Sequence, residues 1–427
     1  VLIITSSCGG GLLQAALAEE QRERVKDPHV RIIKRDMIRD WYSRTVRWIA
    51  LSQWNGAQKK GRVAHLERLL NCQKTADLIF WPRIFFYTLR TLLKEDIDHI
   101  IDTQPLGTSA ILCALSIFNR RRKKEVRLDK VVVDLPTAKN THFFYPLKKL
   151  GKKNKKLLQL VTIPPLLQPR ETAQEFWKEH CNLSEDQVRY EYFPIRQAFL
   201  RYQGVLESDI SSIGVSISNH EEATFMANTI AKGLLKARFE ENKAYFFFAP
   251  EDRIMTLLLG SQPGSIATLG YVQALIRVAR EMKTKTPLHL FVLCGEHQLG
   301  EKSLFSRVHD LVSHVEKNQD WPKHLTVVPL SVQKEETIAP LFHRSMLTCT
   351  RSGGQTAMEL MCVMRGQIWI HSEAKPKIGE AEHLSIEELL LGIPGWESGS
   401  ALYLHQLHRA KIVTPETAYT HGCDLLD

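Results

Sequence analysis

Residues 346–360 read Met-Leu-Thr-Cys-Thr-Arg-Ser-Gly-Gly-Gln-Thr-Ala-Met-Glu-Leu: a short apolar run, a small polar loop and the opening of a helix. Met346–Thr350 has the length and the apolar, β-branched character of a buried strand. Arg351-Ser352-Gly353-Gly354-Gln355-Thr356 follows, with two glycines that let the backbone turn sharply. A strand feeding a helix through small residues is the repeating unit of a parallel α/β sheet. The unit recurs on both sides. Ile254–Leu259 is a strand ending in Gly260-Ser261-Gln262-Pro263-Gly264, ahead of a helix over Leu269–Met282. Leu288–Cys294 ends at Gly295, and Leu325–Pro329 and Gln367–His371 are further strands with helical patterns after them.

The first half repeats the build. Val1–Thr5 is a strand, Ser6-Ser7-Cys8-Gly9-Gly10-Gly11 a turn, and Leu12–Val25 a helix. Val30–Lys34, His99–Asp102, Lys130–Asp134 and Leu157–Ile163 read as further strands, with a helix from about Gly107 to Phe118. The expected architecture is therefore α/β, with two doubly wound Rossmann-like domains facing across a cleft. Residues 1–204 form the first, 251–427 the second, and 205–250 a linker enlarged by an insertion, with an amphipathic helix over Glu221–Glu241 and a strand over Tyr245–Ala249. In such sheets ligands sit outside the carboxyl ends of the strands. Trp41–Leu93 is helical in pattern and holds four of the eight Trp, as helix packing or as an acceptor-side lobe with an apolar face.

Bulk chemistry narrows the class. In 427 residues, 44% hydrophobic and 24% charged is the balance of a globular chain. Lys plus Arg number 57 against 47 acids, a formal +10, which favours an anionic partner. Two runs concentrate the charge: Arg120–Lys124, and Lys148, Lys149, Lys152, Lys153, Lys155 and Lys156. The second gives an expectation of contact with an anionic lipid surface. The eight Cys form no CxxC pair and no zinc-ligand spacing with His, so we expect no metal and mostly buried thiols in a reducing compartment. No apolar stretch reaches a membrane span. A cytoplasmic protein, peripheral on the inner membrane face, is expected. The chain opens on Val1 inside a strand, without Met or a charged leader, so a further natural N-terminal segment is expected.

Four segments carry candidate chemistry. Gly9, Gly10 and Gly11 stand between a strand and a helix whose N-terminal N–H groups can meet an oxyanion or hydroxyl. The Arg351–Thr356 loop admits a diphosphate to a helix N-terminus, where Ser352, Gln355 and Thr356 can donate, and Glu359 in the following helix can reach a ribose. In Gly395-Trp396-Glu397-Ser398-Gly399-Ser400, Glu397 can accept hydrogen bonds from sugar hydroxyls, or serve as a helix cap. Asp134, at the end of an expected strand, and His142, eight residues on, suit acid–base work; an N-cap and a surface His are the alternative.

These segments, in this order, resemble the GT-B glycosyltransferase family that contains MurG and monogalactosyldiacylglycerol synthase. Ser7 to Ala16 is similar to its first glycine loop, and Ile101-Asp102-Thr103-Gln104-Pro105-Leu106 to a strand ending in His-Pro-Leu. Asp134 to Pro146 and Val188 to Phe199, with Pro194-Ile195-Arg196, resemble two further family segments. Gly260 to Gly264 is similar to the Gly-Gly-Ser-Gln-Gly loop, Ser352 to Glu359 to the donor motif, and Gly395 to Ala401 to Gly-Gln-Glu-x-Gly-Asn. The resemblance implies an inverting hexosyl transfer from a nucleotide sugar, UDP-linked, with no metal or cofactor and a base from the first domain. Ser261, Gln262, Arg351–Thr356, Glu359 and Glu397 would bind the donor, and Gly9, Gly10, Gly11 and Gln104 would line the acceptor side. The acceptor is a lipid or another hydroxyl compound. Three positions depart from the pattern: Leu12 where the family has His, Trp396 for Gln, and Ser400 for Asn. Asp134, with His142, is then the candidate base. The one Asp-x-Asp, Asp96-Ile97-Asp98, precedes a strand and so lies at the wrong end of a sheet for a ligand. Two other readings stay open: a catalytically inactive GT-B scaffold, because of Leu12, and a basic nucleic-acid-binding protein. The latter has no RRM, KH or zinc pattern and no aromatic residues within its basic runs.

Overall fold

A computed structural model describes all residues except 8, 121, 192, 284–285, 298–302, 319–320, 376–383 and 427. Cys8, and part of the 372–393 stretch, therefore lie outside the described residues. The first sheet contains β1 (Leu2–Thr5), β2 (Ile33–Asp36), β3 (Ile100–Asp102), β4 (Leu128–Val131), β5 (Leu158–Thr162) and β6 (Val188–Tyr190), ordered β2-β1-β3-β4-β5-β6. Every pair is parallel. Helices cover both faces, which is why β1 is wholly apolar apart from its last residue. The ionised residues of β4 survive burial because they are paired. Lys130 meets Asp102 at 2.7 Å, both fully buried, and Asp129 takes His99 at 3.0 Å and Arg189 at 2.6 Å.

Two strands expected from sequence are displaced. Val30–Lys34 moves to Ile33–Asp36, and Lys130–Asp134 ends at Val131, so Asp134 sits in the loop beyond its strand. That loop stays apolar because the second domain covers it, so the hydrophobic run outlasts the ladder. The first helix runs Gly10–Lys26, which makes Gly10 and Gly11 its first residues rather than loop. Trp41–Leu93 is a helical lobe of Arg44–Lys59, Val63–Asn71 and Gln73–Lys94, entered by a π-helical turn at Met37–Trp41.

The segment 205–250 carries β7 (Ser212–Ser216), a helix His220–Ile230, β8 (Lys236–Glu240) and β9 (Lys243–Phe247), in an antiparallel sheet ordered β7-β9-β8. The expected helix Glu221–Glu241 is thus cut short at Ile230; Gly233, at φ 83°, turns the chain into the hairpin. Ile213, Val215, Met226, Phe246 and Phe248 pack on Phe291, Val328, Leu330 and Leu341, so the segment shares the core of the second domain.

The second parallel sheet holds β10 (Arg253–Leu258), β11 (Leu288–Leu293), β12 (Leu325–Leu330), β13 (Ser345–Thr350), β14 (Gln367–His371) and β15 (Ala410–Val413), ordered β12-β11-β10-β13-β14-β15. The chain crosses between domains after β6, and Ala198 and Phe199 pack with Phe342 and Leu360 of the second. Two doubly wound Rossmann-like domains facing across a cleft constitute the GT-B architecture expected from sequence.

Candidate functional site

In each sheet the strand order reverses at one place, between β1 and β3 and between β10 and β13, and a crevice is expected at each reversal. The two crevices face each other. A cavity of about 520 Å3 is lined by the loops after β1, β3 and β4 on one side and after β10, β11, β12 and β13 on the other. It brings together Gly9, Gly10, Gly11, Gln104, Asp134 and His142 with Ser261, Gln262, Arg351, Gly353, Gly354, Gln355, Thr356, Glu359 and Glu397. Ser352 alone of the sequence candidates is not in its wall. It is buried beneath the loop, and its Oγ has no hydrogen-bond partner.

The glycines have a second task besides turning the chain. A Cβ on Gly354 would lie 2.4 Å from the Val133 carbonyl oxygen and 2.7 Å from Asp134 Cα. One on Gly10 would lie 3.0 Å from Ser261 Oγ, and one on Gly399 2.4 Å from Thr137 Cγ2. Each is a point where one domain's backbone meets the other. Lys139 Nζ to Ser398 Oγ, at 3.3 Å, adds a polar link.

Glu359 is buried and engaged. Arg196 donates to both its oxygens, Nε and one terminal nitrogen each at 2.7 Å, and Gln355 Nε2 donates to Oε1 at 2.9 Å. The other terminal nitrogen of Arg196 reaches Gln14 Oε1 at 2.9 Å and Glu335 Oε2 at 3.4 Å. Carboxylate partners favour the charged guanidinium and hold its pKa up against burial, which acts to lower it. Sequence reasoning named Glu359 but not Arg196, although Pro194-Ile195-Arg196 had marked the segment. Arg196 also lines the cavity, as the residue tying the crossover to both domains.

Asp134 Oδ2 lies 3.4 Å from His142 Nε2. His142 is not on a surface loop as one reading of the sequence had it. It sits near the start of the helix Thr141–Lys148, buried, its backbone carbonyl held by Gln73 Nε2 at 2.7 Å. Trp396 meets the His142 ring edge-on at 6.0 Å and stacks on Trp54 at 6.1 Å, so an aromatic wall stands beside His142. Glu397 lies in the first turn of the helix Gly395–Gln406. Burial pushes its carboxyl up to about 7, opposed by Arg351 and assisted by Asp134. Arg351 donates to Gln58 O at 3.3 Å and Glu373 Oε1 at 3.2 Å, and the same Glu373 oxygen lies 3.1 Å from His371 Nε2. These contacts hold Glu373 below the usual carboxylate range against its burial. Gln104 reaches the cavity, but its amide is folded onto the backbone of Leu106, accepting at 2.9 Å and donating to the carbonyl. Leu12 is part of the wall and offers no polar side-chain atom.

Other expectations fare unevenly. Lys155 leaves the exposed lysine run: it is buried and donates to Asn182 O, because one side of the short helix Lys152–Lys156 faces the domain. Cys181, Cys294 and Cys349 are buried thiols, but Cys72 is exposed, at a junction between helices. Asp96 and Asp98 are bridged by Arg122 at 3.0 and 3.1 Å, just ahead of β3. Among the described residues, Glu171, Glu179 and His180 are grouped closely enough to hold a metal ion, and none of them lines the large cavity. No described helix is long and apolar enough to cross a membrane.

No family model matches the chain. No curated protein matches it. Among solved structures, MurG from Acinetobacter baumannii aligns with 100% of this chain and 90% of its own, at 12% identity and TM-score 0.43. UDP-GlcNAc 2-epimerase from Neisseria meningitidis, bound to UDP-GlcNAc, aligns over 100% and 98%, at 12% identity and TM-score 0.41. A UDP-forming trehalose-phosphate synthase from Burkholderia xenovorans aligns over 92% and 77%, at 10% identity and TM-score 0.41. Likenesses this remote say nothing of activity, and the chain's chemistry rests on its own cleft.

Proposed function

We propose that this protein is an inverting glycosyltransferase moving a sugar from a nucleotide donor, UDP-linked by its sequence resemblance, to a lipid or other acceptor hydroxyl. The observation that carries the reading is one cavity walled on one side by Ser261, Gln262 and the Arg351–Thr356 loop and on the other by Asp134 and His142. The helices Ser265–Glu281 and Gly354–Val363 begin at that wall, and their N-terminal N–H groups suit a diphosphate leaving group. Glu359 is offered to the ribose and Glu397 to the sugar. As the acceptor oxygen attacks the anomeric carbon, its proton passes to the Asp134–His142 pair, with Asp134 as base or orienter and His142 as its partner. No metal or cofactor is assigned a role.

The apolar lobe supports a lipid acceptor. Ile38, Tyr42, Val46, Ile49, Leu69 and Phe80 line the arm of the cavity beneath it, and Trp48, Leu78 and Phe86 are exposed on its helices. Together with the exposed lysines of 148–156 they suit a peripheral contact with an anionic membrane. A second reading, a scaffold that binds nucleotide without transfer, is favoured by Leu12 in the cavity wall.

Donor hydrolysis and sugar transfer by Asp134→Asn, His142→Ala and the double variant test the reading. If the two act as a unit, the double loss is close to the larger single one. Near wild-type rates in all three reject the base assignment, and nucleotide binding without any turnover by wild type favours the scaffold.

A further inference from the structure

The antiparallel sheet of 205–250 has one edge built into the protein and one left open. β7 lies against the second domain: Thr337 Oγ1 donates to Gly214 O at 2.7 Å, and Gln333 meets the backbone of Ser216 at 2.8 and 2.9 Å. β8 pairs with β9 alone. The ladder fixes which of its backbone groups are spare. Ile217 N donates to Asn242 O and Phe248 N to Ser211 O, so the even-numbered residues of β9 bond to β7 and the odd-numbered ones to β8. In register, Lys236, Arg238 and Glu240 therefore bond to Phe247, Tyr245 and Lys243. The N–H and C=O of Ala237 and Phe239 point away from the sheet, and among the described residues nothing takes them up.

The side chains of β8 follow the same division. Ala237 and Phe239 share the inner face with Ala244 and Phe246, yet Phe239 is 41% exposed, because no strand continues that face beyond it. Lys236, Arg238 and Glu240 stand on the outer face. Arg238 is drawn back from the edge: it donates to Glu240 at 2.9 Å, and its guanidinium lies 5.4 Å from the centre of the Tyr245 ring. Lys236 has no ion-pair partner among the described residues. Charges on an open edge discourage pairing when like meets like. Here Lys236 and Glu240 stand equally far on either side of Arg238 with opposite signs, so the strand is complementary to its own reverse.

We propose that β8 pairs with β8 of a second copy of this chain, antiparallel about a twofold axis at Arg238. Ala237 then exchanges backbone bonds with the partner's Phe239, and Phe239 with the partner's Ala237. Lys236 faces the partner's Glu240, and the symmetry repeats that ion pair. Arg238 meets the partner's Arg238 at the axis, each held back by its own Glu240 and Tyr245. The inner faces run on into one another and each Phe239 ring is covered. The contact is isologous and closes as a dimer, and a five-residue edge is a small interface, so the association is reversible. No residue of β8 lines the large cavity, so the contact uses none of the cleft's walls.

Sedimentation velocity of the full chain, from low to high micromolar concentration, reads the mass. Wild type should pass from monomer to dimer, and less readily at high salt. Lys236→Glu and Glu240→Lys each set like charges opposite one another and should weaken the dimer by about tenfold or more. Mixed together, the two variants bring opposite charges face to face again, and the mixture should associate although neither does alone. Phe239→Pro removes an N–H that β8 does not use toward β9, so the hairpin should be kept, with a wild-type Tm, and the dimer lost. Wild type monomeric at every concentration, which would leave the edge bare or for a strand of a different protein, overturns the pairing. So does association untouched by Phe239→Pro, or a mixture of the two charge variants that stays monomeric. If Phe239→Pro melts well below wild type, the mixture alone decides.

Discussion

Glu359→Gln is the substitution whose outcome says most, because this carboxylate has both a structural partner and a proposed ligand. It is buried, and both oxygens accept from Arg196. Breaking a buried pair by removing one partner costs roughly 3–5 kcal/mol. Glu335 remains 3.4 Å from the guanidinium, and Gln14 keeps its bond, so the charge is not orphaned and the lower end, about 3 kcal/mol, applies. For a domain of the second domain's length that is a fall of about 6–12 °C in Tm. If a ribose hydroxyl also donates to Glu359, UDP affinity falls by a further 1–3 kcal/mol, about 5- to 150-fold in Kd. Stability and binding separate in a double-mutant cycle with Arg196→Met, followed by thermal melts and calorimetric titration of UDP. Arg196→Met/Glu359→Leu, which removes both charges, should recover most of the stability but not the affinity. UDP binding to Glu359→Gln within twofold of wild type would refute the ribose role and leave Glu359 as the counter-charge of a hinge arginine alone.

The remaining predictions use other residues. Glu397 has its pKa raised to about 7 in the folded chain, so the folded state holds a proton that the unfolded state has released above its ordinary value near 4.5. Stability present below that value is lost as pH rises through about 7 and levels off above it; Glu397→Gln should melt at increasingly higher temperature than wild type from pH 5 to 8, and a constant difference would contradict it. Gly354→Ala should cost about 1–3 kcal/mol and hold the domains apart, read as a lower Tm and a larger radius of gyration by solution scattering. Lys155→Ala should lower Tm, because its ammonium is bound to Asn182 O. Lys152→Glu/Lys153→Glu/Lys156→Glu should leave Tm within about 1 °C and reduce co-sedimentation with anionic vesicles, each lysine contributing about 1 kcal/mol there. Leu12→His should raise sugar transfer if a base was lost at that position, and an unchanged rate would leave Asp134 and His142 as the catalytic candidates.

Most strands of both parallel sheets, and the loops at their carboxyl ends, could be read from sequence because a sheet covered on both faces writes itself as apolar runs closed by small residues; the short strand Ala410–Val413 was missed, and the charged strand Ile33–Asp36 was placed too early. The run 346–360 is such a case, and its neighbours repeated it. The end of the helix at Ile230 could not be read that way. Charged and apolar residues keep a helical spacing past it, and the sign of the stop is Gly233, whose positive φ is a property of the folded chain. Lys155 was hidden by composition: four of the five residues of that short helix are lysines, and only packing selects the one turned inward. The bond from Arg196 to Glu359 joins residues 163 apart, a contact that no local pattern encodes. The same holds for Trp54 on Trp396, where the sequence showed Trp396 but not the ring it stacks on.

The meeting of the domains at Gly10, Gly354 and Gly399 has a kinetic consequence. If the chain transfers sugar as proposed, it must admit two substrates and release two products through one cleft, and its halves would part and rejoin at every turnover. Interfaces made from long side chains must freeze those chains at each closure, at up to about 2 kcal/mol apiece. Glycine against backbone, as at Gly354, or against the short side chains of Ser261 and Thr137, leaves few rotamers to freeze. These seams can open and shut with little entropic toll, and their fit is all or nothing: a single methyl group at Gly354 stands between a shut cleft and one left ajar.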